Sequence, residues 1–452
     1  MINYIYLSRL AVFGFVFGLL VDCNTSEYAS REAAEEMYLN SVSLSNETSI
    51  ELTFLTFSNS NADENISRAV RMHPSVLSSS AKIRAANASV DVVKSRKKTQ
   101  SSLSLSGGFA RDNGTTDPGL LVGMSLSRLL FDYGATSSSI KSYDMLSQAA
   151  DLKMLLTADE VAVRALGAWS LLGTQRDVVK VFQRGLDLAD PLVGQIENIS
   201  TSGLADKSTA LTAQRKYASL KMGLDDVKSK LIKSRTAFQE YFPGVDLVSV
   251  EELNYPTFQV EDYKVLETKM LKNSKKLKVA GLLIKSKELQ IESTILGSNP
   301  TYSLSGSATA PAKDLKSDGI ANLGFSANYT FNDGGKREAQ TMALRGELAS
   351  LTSDRKKENT AEKVNLELLL QSYSAATDRV EAILSMLELA KEVKETAKAQ
   401  LISGRSKIED VLNAEVMLAE TQIDLIKTRA ERQITSIQID ALVNGLINNL
   451  DL

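Results

Sequence analysis

The side chains able to do bond-making chemistry are few in this chain of 452 residues, which holds one histidine, His73, and one cysteine, Cys23. A Cys/His zinc set, a Cys/His pair and a Ser/His/Asp triad would all have to be built on His73. That residue precedes Pro74, which biases it away from helical geometry. The acid pairs Asp225-Asp226 and Glu251-Glu252 are sequence neighbours on expected helix or linker surface. They do not face each other across a cleft as acid–base partners must. Asn332-Asp333-Gly334-Gly335 is glycine-rich but lacks the Lys-Ser/Thr that a nucleotide-binding loop needs. Cys23 suits a different reaction, acylation: it follows an apolar run closely, although Asp22 stands where a small residue is expected. No intrachain disulfide can form. The expectation is a protein without catalytic residues, cofactor or metal.

The remaining composition favours long helices. Hydrophobic residues make up 43%, aromatics only 6%, and there are seven prolines. A formal net charge of −3 provides no basic field for nucleic acid. Residues 10–21 (LAVFGFVFGLLV) are too short to cross a bilayer comfortably and sit where the core of an export signal would, so residues 1–22 are expected to be a signal peptide. No later stretch is apolar for long enough to be a membrane helix. Any crossing of a membrane must therefore use strands.

Two such strand pairs are present, in a pattern that recurs after about two hundred residues. Residues 101–110 alternate Leu103, Leu105 and Phe109 with Ser and Gly; a turn cluster follows; residues 120–131 then alternate Leu120, Val122, Met124 and Leu126 with small residues. In the second copy, strands at 301–310 and 320–331 alternate Tyr302, Leu304, Leu323, Phe325 and Phe331 with Ser, Gly and Asn. Each strand has about ten residues, the length of a tilted transmembrane strand, with one apolar and one small polar face. Phe131, Tyr302, Tyr329 and Phe331 gather at one end, as an interfacial girdle would. Phe131 aligns with Phe331 and Gly134 with Gly334, an offset of 200.

Long helical hairpins are expected after each strand pair, over residues 135–200 and 204–242, and again over 335–403 and 405–444. Ser202-Gly203 and Ser403-Gly404 make their turns, where glycine can take the left-handed cap. Val416, Ala419, Ile423, Ile426, Ala430, Ile434, Ile437 and Ala441 form a coiled-coil seam. The expected organisation is a flexible N-terminal arm (23–64), a first repeat (65–242), a linker or equatorial segment (243–263), a second repeat (264–444) and a C-terminal tail (445–452). The fold class is α+β and mostly helical, with a two-fold internal repeat of β-hairpin and long α-helical hairpin.

This arrangement resembles the TolC family of outer-membrane efflux and secretion ducts over about residues 65–444. The resemblance is carried by Leu130-Phe131-Asp132-Tyr133-Gly134, Thr330-Phe331-Asn332-Asp333-Gly334-Gly335, Asn299-Pro300 and the turns at Gly203 and Gly404. It implies a homotrimer in the bacterial outer membrane, each copy giving four strands to one twelve-stranded transmembrane β-barrel continued by a periplasmic coiled-coil helical tunnel. It further implies a periplasmic adaptor and an inner-membrane transporter, ABC or proton-driven, as partners. Aligning on Gly404 places Asp410 and Asn413 at the constriction of the tunnel entrance, with Glu409 adjacent. Gly203, Leu204, Gly404 and Arg405 fall at helix tips that would meet the adaptor. The Leu-Phe-Asp-Tyr-Gly form and the Ser-Gly-Leu-Ala-Asp-Lys-Ser turn look more like type I protein secretion than drug efflux. A non-channel coiled-coil scaffold would explain the helices but not the strand pairs of membrane-spanning length.

Overall fold

The computed structural model describes residues 51–54, 60–112, 115–204, 206–247, 250, 253, 255–256, 258–259, 261–313 and 320–451. The expected signal segment and Cys23 lie outside the described residues. Strand β1 (Glu51–Phe54) pairs with β6 (Ile447–Asp451). Helices α1 (Ser60–Met72) and α2 (Pro74–Ser95) lead into β2 (Gln100–Asp112) and β3 (Thr115–Phe131). Helices α3 (Ala135–Thr201) and α4 (Lys207–Tyr241) follow, then α5 (Tyr263–Asn273), α6 (Lys275–Leu296), β4 (Thr301–Lys313), β5 (Ile320–Asn328), α7 (Lys336–Ile402) and α8 (Ile408–Val443). A strand at 51–54 and a helix from Ser60 thus occupy the end of the expected N-terminal arm, and β6 lies in the expected tail. Among the described residues no helix is long and apolar enough to cross a membrane.

Strands β2, β3, β4 and β5 form one antiparallel sheet in sequence order. Its register assembles the alternation seen in the sequence into two unlike faces. Leu105 lies opposite Val122, Val122 opposite Ala310, Leu126 opposite Gly306, and Leu304 opposite Phe325. The other face is a hydroxyl ladder, with Ser102 and Ser125 oxygens 2.7 Å apart and those of Ser303 and Ser326 2.9 Å apart. Leu103 (72% exposed) and Leu323 (79%) stand on an apolar face that none of the described residues covers. Among the described residues the two outer strands, β2 and β5, each keep one unpaired edge. At the end of the sheet nearest the helices, Tyr133, Phe131, Tyr302 and Phe325 form a run of ring contacts between 4.8 and 6.3 Å.

The helices come in matched pairs. α2 and α6 have 22 residues each, α3 and α7 have 67, and α4 and α8 have 35 and 36. Their starts at 74 and 275, 135 and 336, and 207 and 408 differ by 201 residues. This corrects the offset of 200 taken from Phe131/Phe331 and Gly134/Gly334. The structural partner of Gly134 is Gly335: both are helix N-caps, with φ of 93° and 82°. The carboxylate two residues earlier anchors each helix. Asp132 Oδ1 accepts from the Gly134 N–H at 3.1 Å and Oδ2 from the Thr136 N–H at 2.7 Å. Asp333 accepts from the Gly335 and Arg337 N–H groups, both at 3.1 Å. The strands keep the same offset, Gln100 matching Thr301 and Ser127 matching Asn328, so Phe331 corresponds to Leu130 rather than Phe131, and the last strand of the sheet ends at Asn328 rather than at 331.

The short helices meet end to end beside the long ones. His73 caps α2, its Nδ1 accepting from the Ser75 N–H at 3.2 Å, and its ring stacks 5.6 Å from Tyr241 at the end of α4. In the other half Asn273 Nδ2 donates to the Val443 carbonyl at 3.0 Å, joining the end of α5 to the end of α8. Burial is uneven. α3 buries Met154, Leu166, Trp169 and Leu172 among many others, whereas α7 buries few side chains and exposes Leu368, Met386 and Leu389. Helix α8 packs on both long helices, so its buried surface is wider than the expected seam. Leu412, Leu425 and Ile439 are buried beside Ala419, Ile423 and Ile437.

The segment expected as a linker is strapped to the helices at its described positions. The Tyr255 hydroxyl donates to Asp440 Oδ2 at 2.9 Å, and burial with that neighbouring carboxylate pushes the phenol up. Arg176 Nη1 donates to the Leu247 and Val250 carbonyls at 3.2 and 2.9 Å, and Tyr373 donates to the Phe258 carbonyl at 2.9 Å.

Candidate functional site: the two helix turns

Both helical hairpins turn with the same device. After α3, Gly203 has φ 76°; its N–H donates to the Ser200 carbonyl at 3.1 Å and that of Leu204 to Ile199 at 3.1 Å. After α7, Gly404 has φ 73°; its N–H donates to Leu401 at 3.0 Å and that of Arg405 to Gln400 at 2.8 Å. This pair of bonds is a Schellman cap, and the left-handed residue at its centre explains glycine at both places. Capping leaves the neighbouring apolar side chains without cover: Leu204 is 81% exposed and Ile402 89%.

The two turns come together around a groove of about 460 Å³. Gly203, Leu204 and Asp206 line it from the first turn; Lys407, Ile408 and Glu409 line it from the second. Thus Glu409 is brought beside the first tip, while Asp410 and Asn413 are engaged elsewhere. Asp410 Oδ2 accepts from the Lys407 N–H at 2.9 Å and the Ser406 hydroxyl at 2.8 Å, fastening the first turn of α8. Those two bonds hold its carboxyl below the usual carboxylate range. Asn413 Oδ1 accepts from Lys216 Nζ on α4. The chain therefore presents a fixed, exposed anion at Asp410 and, one turn on, an amide tied to a lysine.

Two buried charge groups were not expected from the sequence. Glu415, with 4% of its side chain exposed, takes Lys398 at 2.9 Å and Lys394 at 3.2 Å, both from α7. This bond pushes the Lys398 ammonium up. The signal was a carboxylate within the apolar stripe of Leu412, Ala414, Leu418 and Ala419. Far from the tips, Asp159 of α3 pairs with Lys275 of α6 and accepts from the Leu446 and Ile447 N–H groups at 3.1 and 2.9 Å. Burial pushes its carboxyl up despite the ammonium and the two amides. Among the described residues no group of three or more His, Cys, Asp or Glu is placed to hold a metal ion. The arrangement at the tips can attract, repel or hold by hydrogen bond.

Residues 266–445 match the family model of the outer membrane efflux protein, a span that takes in α6 to α8 and the second strand pair. None of the curated proteins matches the chain. Among solved structures the chain is similar to the outer membrane protein VceC of Vibrio cholerae, with a TM-score of 0.74 at 14% identity over 86% of this chain and 97% of that one. It is similar to the CmeC outer membrane channel of Campylobacter jejuni, with a TM-score of 0.74 at 12% identity over 88% and 89%. It is also similar to the open state of the MtrE outer membrane channel of Neisseria gonorrhoeae, with a TM-score of 0.70 at 13% identity over 88% and 96%. At these identities the likeness is one of fold, mostly helical α+β, as expected from the sequence.

Proposed function

We propose that the chain is the outer-membrane channel subunit of a bacterial tripartite export system, a passive exit without catalysis. The observation that carries this reading is the four-stranded sheet with an uncovered apolar face, a hydroxyl face and two unpaired edges. In lipid every backbone group needs a partner, so four strands cannot stand alone. Three copies edge to edge close a twelve-stranded barrel with lipid outside and water within. The helices continue it into the periplasm, ending at the paired turns. The match of residues 266–445 to the outer membrane efflux protein family supports the same assignment.

The exposed tips with Leu204 and Arg405 are the surface for a periplasmic adaptor, which links the channel to an inner-membrane transporter. Asp410, repeated by threefold symmetry, sets a ring of negative charge at the entrance, with Glu409 and Asn413 beside it. For cargo, the Leu130–Gly134 motif and the first helix turn favour protein delivered by type I secretion. Efflux of small compounds is the second reading, favoured by the description of the matching family. The test is threefold. Purified protein reconstituted in planar bilayers should conduct as trimers; a non-conducting monomer sinks the channel reading. Deletion of the gene should abolish secretion of one or more proteins. Unchanged secretion with new sensitivity to dyes or detergents would assign small-molecule efflux instead.

A further inference from the structure

Towards the tips the two helical hairpins stand side by side in the order α4, α3, α8, α7, because α3 packs on both α4 and α8 and α8 packs on α7. α4 and α7 are therefore the ends of the row. Each turns one stripe inward: Ala213, Leu220 and Leu231 on α4, and Tyr373, Val380 and Ile383 on α7, are buried. Each also carries a second stripe, displaced by two residues and so on the opposite side of the helix. On α4 it runs through positions 211, 215, 218, 222, 225, 229 and 232, and on α7 through 375, 378, 382, 385, 389, 392 and 396; all are exposed. Alternating steps of three and four make each a heptad seam without a partner helix. The two stripes match in charge. Lys221 and Lys228 flank the first, each one residue before a stripe position, and Glu381 and Glu388 flank the second in the same way. Between antiparallel helices such equivalent flanks face each other. The stripes also match in height. The turns at Gly203 and Gly404 share one groove, and α4 leaves the first while α7 runs into the second. Positions equally far from the two glycines thus lie level. Arg215 and Glu392 are each twelve residues away, and Ala218 and Leu389 fifteen.

We propose that these stripes form a lateral seam between copies of the chain, α4 of one against α7 of the next. Its register sets Arg215 beside Glu392 and Ala218 beside Leu389, with Lys221 and Lys228 paired to Glu388 and Glu381. The seam rests on the ring of copies proposed above. Rotation about an axis along the helices moves no residue up or down, so levels that match within a chain also match between copies. Ala218, Ala375 and Ala382 let the helices approach closely but bury little apolar surface, which leaves the charges to fix partner and register. Glu388 also meets Lys391 of its own helix at 3.0 Å, an exposed pair that holds little.

The test is disulfide formation in full-length protein in membranes, with Ala218→Cys and Leu389→Cys in a Cys23→Ser background. Within one chain these positions stand three helix spacings apart, about 25–30 Å, far beyond the reach of a disulfide. Oxidation should therefore give covalent dimers and closed trimers on non-reducing gels. Ala218→Cys with Ala382→Cys, two helical turns out of register or about 10 Å, should give at least tenfold less product. Lys221→Glu with Lys228→Glu should slow the 218–389 cross-link about fivefold or more, and adding Glu381→Lys with Glu388→Lys should restore it. Copies that cross-link through β2 and β5 of the sheet yet give no 218–389 product overturn the seam and leave the channel standing. Equal yield from the shifted pair, or a charge swap that restores nothing, overturns the seam in the same way. Protein that stays monomeric by both cross-links overturns the channel reading and the seam with it.

Discussion

Single side chains in this protein do their work at helix ends. Asp159 is the most demanding case, because one buried carboxylate balances Lys275 and two backbone amides where the chain leaves α8. Replacing it with Asn leaves the ammonium buried without a counter-charge, and such a loss costs about 3–5 kcal/mol. Asp159→Asn should therefore lower the thermal midpoint sharply, and Asp159→Asn with Lys275→Met should recover most of the loss. A double variant no better than the single one would refute the account. Asp410 is exposed, and its cap is worth less: Asp410→Ala should cost about 0.5–1 kcal/mol in unfolding. Its lowered pKa gives the sign of the pH effect. The stabilisation is present above the ordinary value, near 4, and fades as pH falls through the folded value. Unfolding midpoints of wild type and Asp410→Ala should thus converge as the pH falls below about 4. In bilayers Asp410→Asn should reduce cation preference in the reversal potential, and an unchanged potential would remove Asp410 from the constriction.

At the level of elements, alternation along a strand decides what each position tolerates. Leu323 and Asn322 are neighbours on β5 whose side chains leave opposite faces of the sheet. On the lipid side an arginine costs about 2–4 kcal/mol near the bilayer midplane, while on the water side it costs little. Leu323→Arg should therefore abolish membrane assembly, and Asn322→Arg should assemble normally with altered conductance; equal assembly of the two would count against a lipid-facing sheet. The split into one apolar and one small polar face was legible in the sequence because strand patterning is local, with period two. So were the long helices, whose caps at Gly203 and Gly404 are written within a few residues. What sequence could not supply was contact between distant segments. Asp159 meets Lys275 across 116 residues, and Asn413 meets Lys216 across 197. The offset of 201 was missed because the aromatic residues before the turn are a weaker marker than the carboxylate that caps the helix. The shared Asp-x-Gly of 132–134 and 333–335 was present in the sequence and pointed to the right pairing.

For the molecule as a whole, the open sheet sets the assembly. β2 and β5 are separated by two strands, so their backbones lie about 14 Å apart within one copy. Cysteines replacing Ser102 on β2 and Ser326 on β5, in a Cys23→Ser background, lie beyond the reach of a short bis-maleimide inside one chain. If neighbouring copies join edge to edge, the reagent should yield covalent dimers and closed trimers on denaturing gels. A product confined to single chains would show that the sheet closes on itself.

The difference between the two long helices has its own consequence. α3 and α7 have the same length, yet α3 sinks its apolar side chains into its own chain while α7 keeps Leu368, Met386 and Leu389 bare. A newly made copy would thus be greasy along one flank until it meets its neighbours, and vulnerable to proteases in the interval. Its lifetime after synthesis would then depend on how many sisters are present, so that scarce expression is punished by degradation and abundant expression rewarded by persistence.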